Sequence, residues 1–146
     1  MTTPIWFSTP TLEQLKQLQA GTIDEAIGIE ITELGPDFVR GTLPADHRTF
    51  QPTRRIHGGA NVVLAETLGS IGSNLVVDHS QFVCFGLDIN ANHLRGVSQG
   101  LVTGTAKPVH LGKSTHVWEI KICDDQERLT CIARLTMAVV PLSNLA

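Results

Sequence analysis

Two consecutive glycines, Gly58 and Gly59, stand at the start of a predicted long helix. The first N–H groups of a helix have no partner within it, and glycine leaves them sterically open. With the helix dipole behind them, such N–H groups can polarise a carbonyl or hold an oxyanion. The alternative interpretation is a glycine-rich helix start that only lets the chain turn.

Glu66 follows on the same predicted helix and is the only charged residue between Arg55 and Asp78. Its spacing from Gly59 is nearly two helical turns, so the two residues share roughly one face. A lone carboxylate among apolar neighbours is costly unless it is paired or functional. Glu66 is therefore the candidate catalytic carboxylate, and an exposed glutamate on a polar stripe is the alternative.

Three more polar residues lie near this carboxylate in sequence. Ser70 is four residues beyond Glu66, within side-chain reach along the helix, and could hold a water or simply pack. His57, taken alone, is more typical of a capping or structural residue than of a catalyst. Gln51, in a loop before Pro52, is unremarkable by itself.

The sequence lacks the motifs of nucleotide binding, of serine nucleophiles and of metal sites. Gly112-Lys113-Ser114 ends like a phosphate-binding loop, but Lys107 stands where that loop needs its first glycine. No nucleophile-elbow serine occurs, because Leu68 replaces the glycine two residues before Ser70. The six histidines have no metal-ligand spacing, so the sequence predicts no metal site.

Hydrophobic patterning predicts the elements that position these residues. Leucines at 12, 15 and 18 predict a short helix from Thr11 to Gly21, and alternation over 27–34 and 38–43 predicts a β-hairpin. The long helix runs from about 58 to 77, and its many small residues predict close approach of another backbone. Four long strands follow, at 82–94, 101–109, 116–122 and 129–140. Together they predict an α+β fold, a six-stranded antiparallel sheet wrapped around one central helix.

Composition limits the function classes. The 146 residues predict one domain, 1–146, and the formal net charge of −3 argues against nucleic-acid binding through phosphate contacts. No segment reaches the length of a membrane span, and Met1 to Leu15 lacks the pattern of a secretory signal. Three cysteines without CxxC spacing favour a reducing, cytoplasmic setting.

As a set, these motifs resemble hotdog-fold acyl-CoA thioesterases whose catalytic carboxylate is a glutamate. The resemblance rests on Gln51-Pro52, His57-Gly58-Gly59, the run 64–70, Asn90-Ala-Asn-His93 and the run 107–112, and it extends from about 6 to 140. It is strongest to the 1,4-dihydroxy-2-naphthoyl-CoA and enterobactin-pathway proofreading thioesterases, and weaker to 4-hydroxybenzoyl-CoA thioesterases.

The resemblance implies a role for each candidate. Glu66 would be the nucleophile or the base that activates water, and the Gly58 N–H would polarise the thioester carbonyl. Gln51 and His57 would help to position that carbonyl, and Ser70 would assist the carboxylate or the water. The resemblance also implies that His93 lines the site, and that the site lies across a homodimer seam, in a dimer or a dimer of dimers.

Coenzyme A carries several negative charges, so its binding by this acidic chain requires a local basic patch. The candidates are Arg95, Lys107, His110 and Lys113, with Arg54 and Arg55 also possible, although any one of these could be a solvated surface charge. Similar thioesterases have an aromatic-glycine-leucine sequence between Gln-Pro and His-Gly-Gly, where this chain has Thr53-Arg54-Arg55-Ile56. Two arginines beside the acyl pocket or the coenzyme channel would change the substrate range.

The sequence therefore predicts a thioesterase that releases a free acid and a thiol, with aromatic acyl-CoA substrates favoured and no metal or redox cofactor. Two alternatives stay open. A hotdog hydratase or dehydratase is a poorer fit, because its usual acid–base pair is matched only by His57 and Glu66. A non-catalytic acyl-CoA binding module would bind ligand without turnover.

Overall fold

A computed structural model describes residues 2–145. The two ends of the predicted domain 1–146, Met1 and Ala146, lie outside the described residues. The helices are α1 (Leu12–Gln19), α2 (Ile23–Ile27) and α3 (Gly58–Val76), with a short 3₁₀ turn at Leu142–Asn144. The strands are β1 (Glu30–Leu34), β2 (Val39–Pro44), β3 (Phe82–His93), β4 (Leu101–Leu111), β5 (Thr115–Cys123) and β6 (Leu129–Pro141).

The six strands form one antiparallel sheet in the order β1-β2-β4-β5-β6-β3. Helix α3 packs against one face of this sheet, and the buried side chains of both form a continuous core. The predicted α+β fold, a sheet wrapped around one long helix, is confirmed. Among the helices of the described chain, none has an apolar stretch long enough to cross a bilayer.

The prediction that the hairpin starts at Ile27 is wrong, because Ile27 ends a helix and β1 begins at Glu30. Thr22 caps α2 by accepting a hydrogen bond from the Asp24 N–H at 3.2 Å. Gly28 closes the helix in the left-handed conformation, with φ of 82°. Capping at both ends therefore outweighs the alternating pattern around Ile27.

The small residues of α3 allow the helix to lie close to the sheet. A Cβ on Gly69 would lie 2.6 Å from Leu135 Cδ2, and one on Gly72 would lie 2.6 Å from the Trp118 ring. Both side chains belong to the sheet and are fully buried. The small residues do allow a close approach, but the groups that approach are side chains of the sheet and not another backbone, as was predicted.

The N-terminal segment lies across the end of α3. The Phe7 N–H donates to the Leu75 carbonyl at 2.8 Å, and Trp6 Nε1 donates to the Gly35 carbonyl at 2.7 Å. The Trp6 ring stacks on Trp118 with a centroid distance of 6.4 Å and an interplanar angle of 2°. These contacts fasten the segment to the helix, the β1–β2 turn and the sheet.

A buried polar cluster joins α3 to β5. Trp118 Nε1 donates to Ser73 Oγ at 2.7 Å, and Ser73 Oγ lies 3.0 Å from His116 Nδ1. Ser73 and His116 are almost fully buried. Burial lowers the pKa of His116, and the nearby His110 lowers it further. The neutral ring can accept a hydrogen bond from the Ser73 hydroxyl at Nδ1, whereas a protonated ring would have to donate a hydrogen bond to Ser73 Oγ.

We expect this cluster to make the fold less stable in mild acid. The unfolded chain takes up a proton at His116 near pH 6.5, whereas the folded chain takes it up at lower pH. The free energy of unfolding should therefore decrease as the pH falls through 6.5, until the folded-state pKa is passed. Urea unfolding between pH 8 and pH 5 measures this slope. The slope should be shallower in His116→Gln, and parallel curves for the two proteins would contradict the assignment.

Candidate active site

Helix α3 begins with a free backbone donor. His57 is the N-cap residue, and its Nδ1 accepts a hydrogen bond from the Gly59 N–H at 2.8 Å. The Gly58 N–H has no acceptor among residues 2–145. Since the helix dipole is positive at this end, the Gly58 N–H is suited to a carbonyl oxygen that gains negative charge. The His57 ring acts here as a cap.

The Glu66 carboxylate lies over strand β3. The residue is half-buried, and a Cβ on Gly86 would lie 2.6 Å from Glu66 Oε1. Gly86 adjoins a register shift in the pairing of β3 with β6, so the strand is irregular beside the carboxylate. No side chain or backbone N–H of the described chain donates to this carboxylate, which leaves both oxygens available for substrate or water.

Ser70 lies one helical turn beyond Glu66. Its Oγ is 3.7 Å from Met137 Sδ, a weak contact, and its carbonyl accepts a hydrogen bond from Asn74 Nδ2 at 2.9 Å. The hydroxyl does not contact Glu66 directly in this arrangement. Ser70 is half-buried, and its assistance to the carboxylate or to a water stays a prediction.

Gln51 belongs to a tight loop before α3. Its side-chain amide donates to Thr53 Oγ1 at 2.7 Å and accepts from the Thr53 N–H at 2.6 Å. Arg54, with φ of 62°, allows the turn, and its N–H donates to the Gln51 carbonyl at 2.9 Å. The Arg55 side chain lies against Gly96, in the loop after β3. Both arginines are exposed at this corner of the molecule.

His93 ends β3 next to the start of α3. A Cβ on Gly58 would lie 2.8 Å from His93 Nε2, and His93 Nδ1 is 3.5 Å from Asn61 Nδ2. The strand therefore brings the imidazole to the free N–H end of the helix. His93 therefore lies against Gly58, and His57 precedes Gly58 as the N-cap residue of α3.

The predicted basic patch is not gathered within one chain. Arg95 follows His93, and its N–H donates to the Thr130 carbonyl at 3.2 Å. Lys107 is on the sheet face away from α3, with Nζ 5.8 Å from the Phe38 ring centroid. His110 and Lys113 lie at the β4–β5 turn, about 20 Å along the strands from the His93 end. A single patch that contains all four residues would need more than one chain.

Two residues of the site were missed by the sequence analysis. Gly86 stands in the interior of a predicted strand, and such a glycine is itself a signal of close approach by another group. Asn61, on the first turn of α3, is 6% exposed, and its Oδ1 has no partner within the described part of the chain. Nothing in the sequence separates this asparagine from an ordinary helix residue.

Comparison with known proteins gives one consistent family. The thioesterase superfamily model matches residues 54–131. The proofreading thioesterase EntH of Cronobacter turicensis is 47% identical over 136 residues, covering 93% of this chain and 98% of EntH. The 1,4-dihydroxy-2-naphthoyl-CoA hydrolase of Escherichia coli is 43% identical over 136 residues, covering 93% and 99%.

A solved structure shares the fold throughout. The thioesterase PA1618 from Pseudomonas aeruginosa, crystallised as a mutant, superposes with a TM-score of 0.93 at 50% identity. The match covers 94% of this chain and 99% of that structure. With the family model and the two relatives, it agrees with the six-stranded sheet and the central helix found here. This chain belongs to the thioesterase superfamily and is a thioester hydrolase with the hotdog fold.

Proposed function

We propose that this protein hydrolyses acyl-CoA thioesters to the free acid and coenzyme A, with aromatic acyl groups preferred. The observation that carries the proposal is the half-buried Glu66 carboxylate, which has no hydrogen-bond partner within residues 2–145 and lies over Gly86. The aromatic preference is supported by the relative whose name gives a naphthoyl-CoA as its substrate.

Two routes use this carboxylate. As a nucleophile, Glu66 attacks the thioester carbon, the thiolate leaves, and water hydrolyses the resulting mixed anhydride. As a general base, Glu66 takes a proton from the attacking water, which adds to the carbon directly. Neither route changes an oxidation state, so we propose that no redox cofactor is required. We also propose that no metal is required, because Glu66 supplies the nucleophile or base and the Gly58 N–H polarises the carbonyl. A first turnover in heavy-oxygen water that yields unlabelled acid identifies the anhydride route.

The Gly58 N–H and the Glu66 carboxylate of the same helix cannot both act on one thioester carbonyl. Gly58 and Glu66 are eight residues apart, about 12 Å along a helix axis. A reacting carbonyl must lie within about 3 Å of its oxyanion donor and close to the attacking group. The site is therefore incomplete in one chain, and we propose that Gly58 of one subunit faces Glu66 of a second copy.

The second copy fits along β3. This strand forms an edge of the sheet, so one row of its backbone N–H and C=O groups is free to pair. Phe85 and Leu87 are 49% and 64% exposed there, next to Gly86. Antiparallel pairing of two β3 strands would also run the two α3 helices in opposite directions, which brings each helix start toward the other's carboxylate.

A homodimer, or a dimer of dimers, therefore supports the proposed site. Light scattering on the purified protein measures the mass, and a fully active monomer would contradict a shared site. We further propose a cytoplasmic location, because Cys84, Cys123 and Cys131 are all free thiols.

The function is tested by measuring thiol release from aromatic acyl-CoAs, aliphatic acyl-CoAs and acyl groups on a carrier-protein arm. We expect release to be fastest from aromatic acyl-CoA. Binding without release from any substrate would favour an acyl-CoA binding module. Conversion of an enoyl-CoA without thiol release would favour a hydratase.

A further inference from the structure

We propose that Asn61 is a positioning residue that holds His93 with its proton on Nε2, as a hydrogen-bond donor at the start of α3. The inference rests on the proposed thioesterase site and adds a residue to it.

The geometry gives the two ring nitrogens of His93 different neighbours. Nδ1 is 3.5 Å from Asn61 Nδ2, which carries donors only. Nε2 lies on the other side of the ring, against Gly58, where an added Cβ would be 2.8 Å away. Both neighbours of the ring, Asn61 and Gly58, belong to the first turn of α3, and Gly58 is the residue whose N–H is free.

The tautomer follows from these neighbours. A neutral imidazole has one donor and one acceptor nitrogen, and the hydrogen bond at one nitrogen decides the state of the other. In this orientation of the amide, Asn61 Nδ2 can only donate, so a hydrogen bond to Nδ1 requires Nδ1 to be bare and places the proton on Nε2. The start of α3 then presents two N–H donors, one from the Gly58 backbone and one from the His93 ring, to a thioester carbonyl.

The burial of Asn61 is an independent observation. The residue is 6% exposed, and its Oδ1 is buried with no hydrogen-bond partner from residues 2–145. An unpartnered buried oxygen costs free energy, and an apolar side chain on this turn would avoid that cost. The presence of asparagine at this buried position is explained if His93 needs the Asn61 side-chain amide nitrogen as a hydrogen-bond donor.

The tautomer can be measured directly. In protein labelled with heavy nitrogen, the NMR shifts of the two His93 ring nitrogens show which one carries the proton, and the His93→Gln variant assigns the signals. We expect a protonated Nε2 and a bare Nδ1 in the unmodified protein. A proton on Nδ1 would overturn the proposal.

Asn61→Asp is the sharpest variant when it is assayed at alkaline pH, where the imidazole is neutral, because its carboxylate accepts from an Nδ1 that carries the proton and so leaves Nε2 bare. We expect kcat to fall roughly 100-fold, as when one preorganised donor to a reacting carbonyl is lost. Asn61→Ala, which leaves the tautomer unfixed, should lose about 10-fold. In both variants KM should change much less than kcat.

Asn144→Asp adds the same charge at an exposed position of the C-terminal turn and is the matched control. If Asn61→Asp does not fold, Asn61→Ala and the tautomer of the unmodified protein decide the question. If the unmodified protein is active and its Asn61 variants keep both the same kcat and the same His93 tautomer, this role for Asn61 is refuted. Absence of thiol release from the parent would instead refute the proposed function.

Discussion

Replacing Glu66 by glutamine is expected to lower thiol release roughly 1000-fold, within the range attributed to a positioned acid–base group. The amide keeps the shape of the side chain but can neither attack the thioester carbon nor take a proton from water. The fold should be unaffected, because no hydrogen bond or ion pair within residues 2–145 depends on this carboxylate. Loss of a half-buried charge should even raise the free energy of unfolding slightly.

The measurement is steady-state thiol release together with urea unfolding of the same sample. Glu30→Gln is the matched control, since Glu30 is an exposed glutamate on β1, and it should keep full activity. Turnover by Glu66→Gln at the unmodified rate would show that another group performs the chemistry.

Gly86→Ala is also expected to have a large effect on turnover, although Gly86 takes no part in the chemistry. The new Cβ would lie 2.6 Å from Glu66 Oε1, closer than the two atoms can approach. Since the carboxylate ends a flexible side chain, it moves and the strand stays in place. A displacement of about 1 Å at a reacting group can cost about 100-fold in rate, and we expect that loss in kcat.

A double-mutant cycle separates this effect from a general disturbance of the site. In the Glu66→Ala background no carboxylate remains to be displaced, so Gly86→Ala should cause no further loss. Gly72→Ala is the contrasting variant, because its Cβ would lie 2.6 Å from the buried Trp118 ring. Its cost should fall on stability, about 1–3 kcal/mol. Equal losses of stability in the Gly86 and Gly72 variants would contradict the steric explanation.

The local sequence patterns were sufficient to predict most of the helices and strands of the fold. The glycine pair marks the start of α3 at Gly58, and the strand patterns after residue 80 match β3 to β6 closely. The error at Ile27 arose because alternation and helix caps compete over a few residues. There, the left-handed conformation of Gly28 decides the outcome.

The site was less accessible to sequence reasoning than the fold. Glu66 could be singled out because its charge is isolated within an apolar helix, and this signal needs no tertiary information. The contact of Glu66 with Gly86, and that of Asn61 with His93, depend on how β3 is placed relative to α3. The basic candidates were grouped by charge alone, and strand register separates Lys107 from Arg95.

The stacked indoles described above give the protein its own optical probe. Trp6 and Trp118 are its only tryptophans, and tyrosine is absent from the chain. Rings that lie parallel at 6.4 Å couple their excited states, so near-ultraviolet circular dichroism and tryptophan emission report mainly on this one contact. Release of the N-terminal segment would abolish the coupling while far-ultraviolet signals from the sheet persist. Undocking of that segment can thus be followed without a label, and separately from global unfolding.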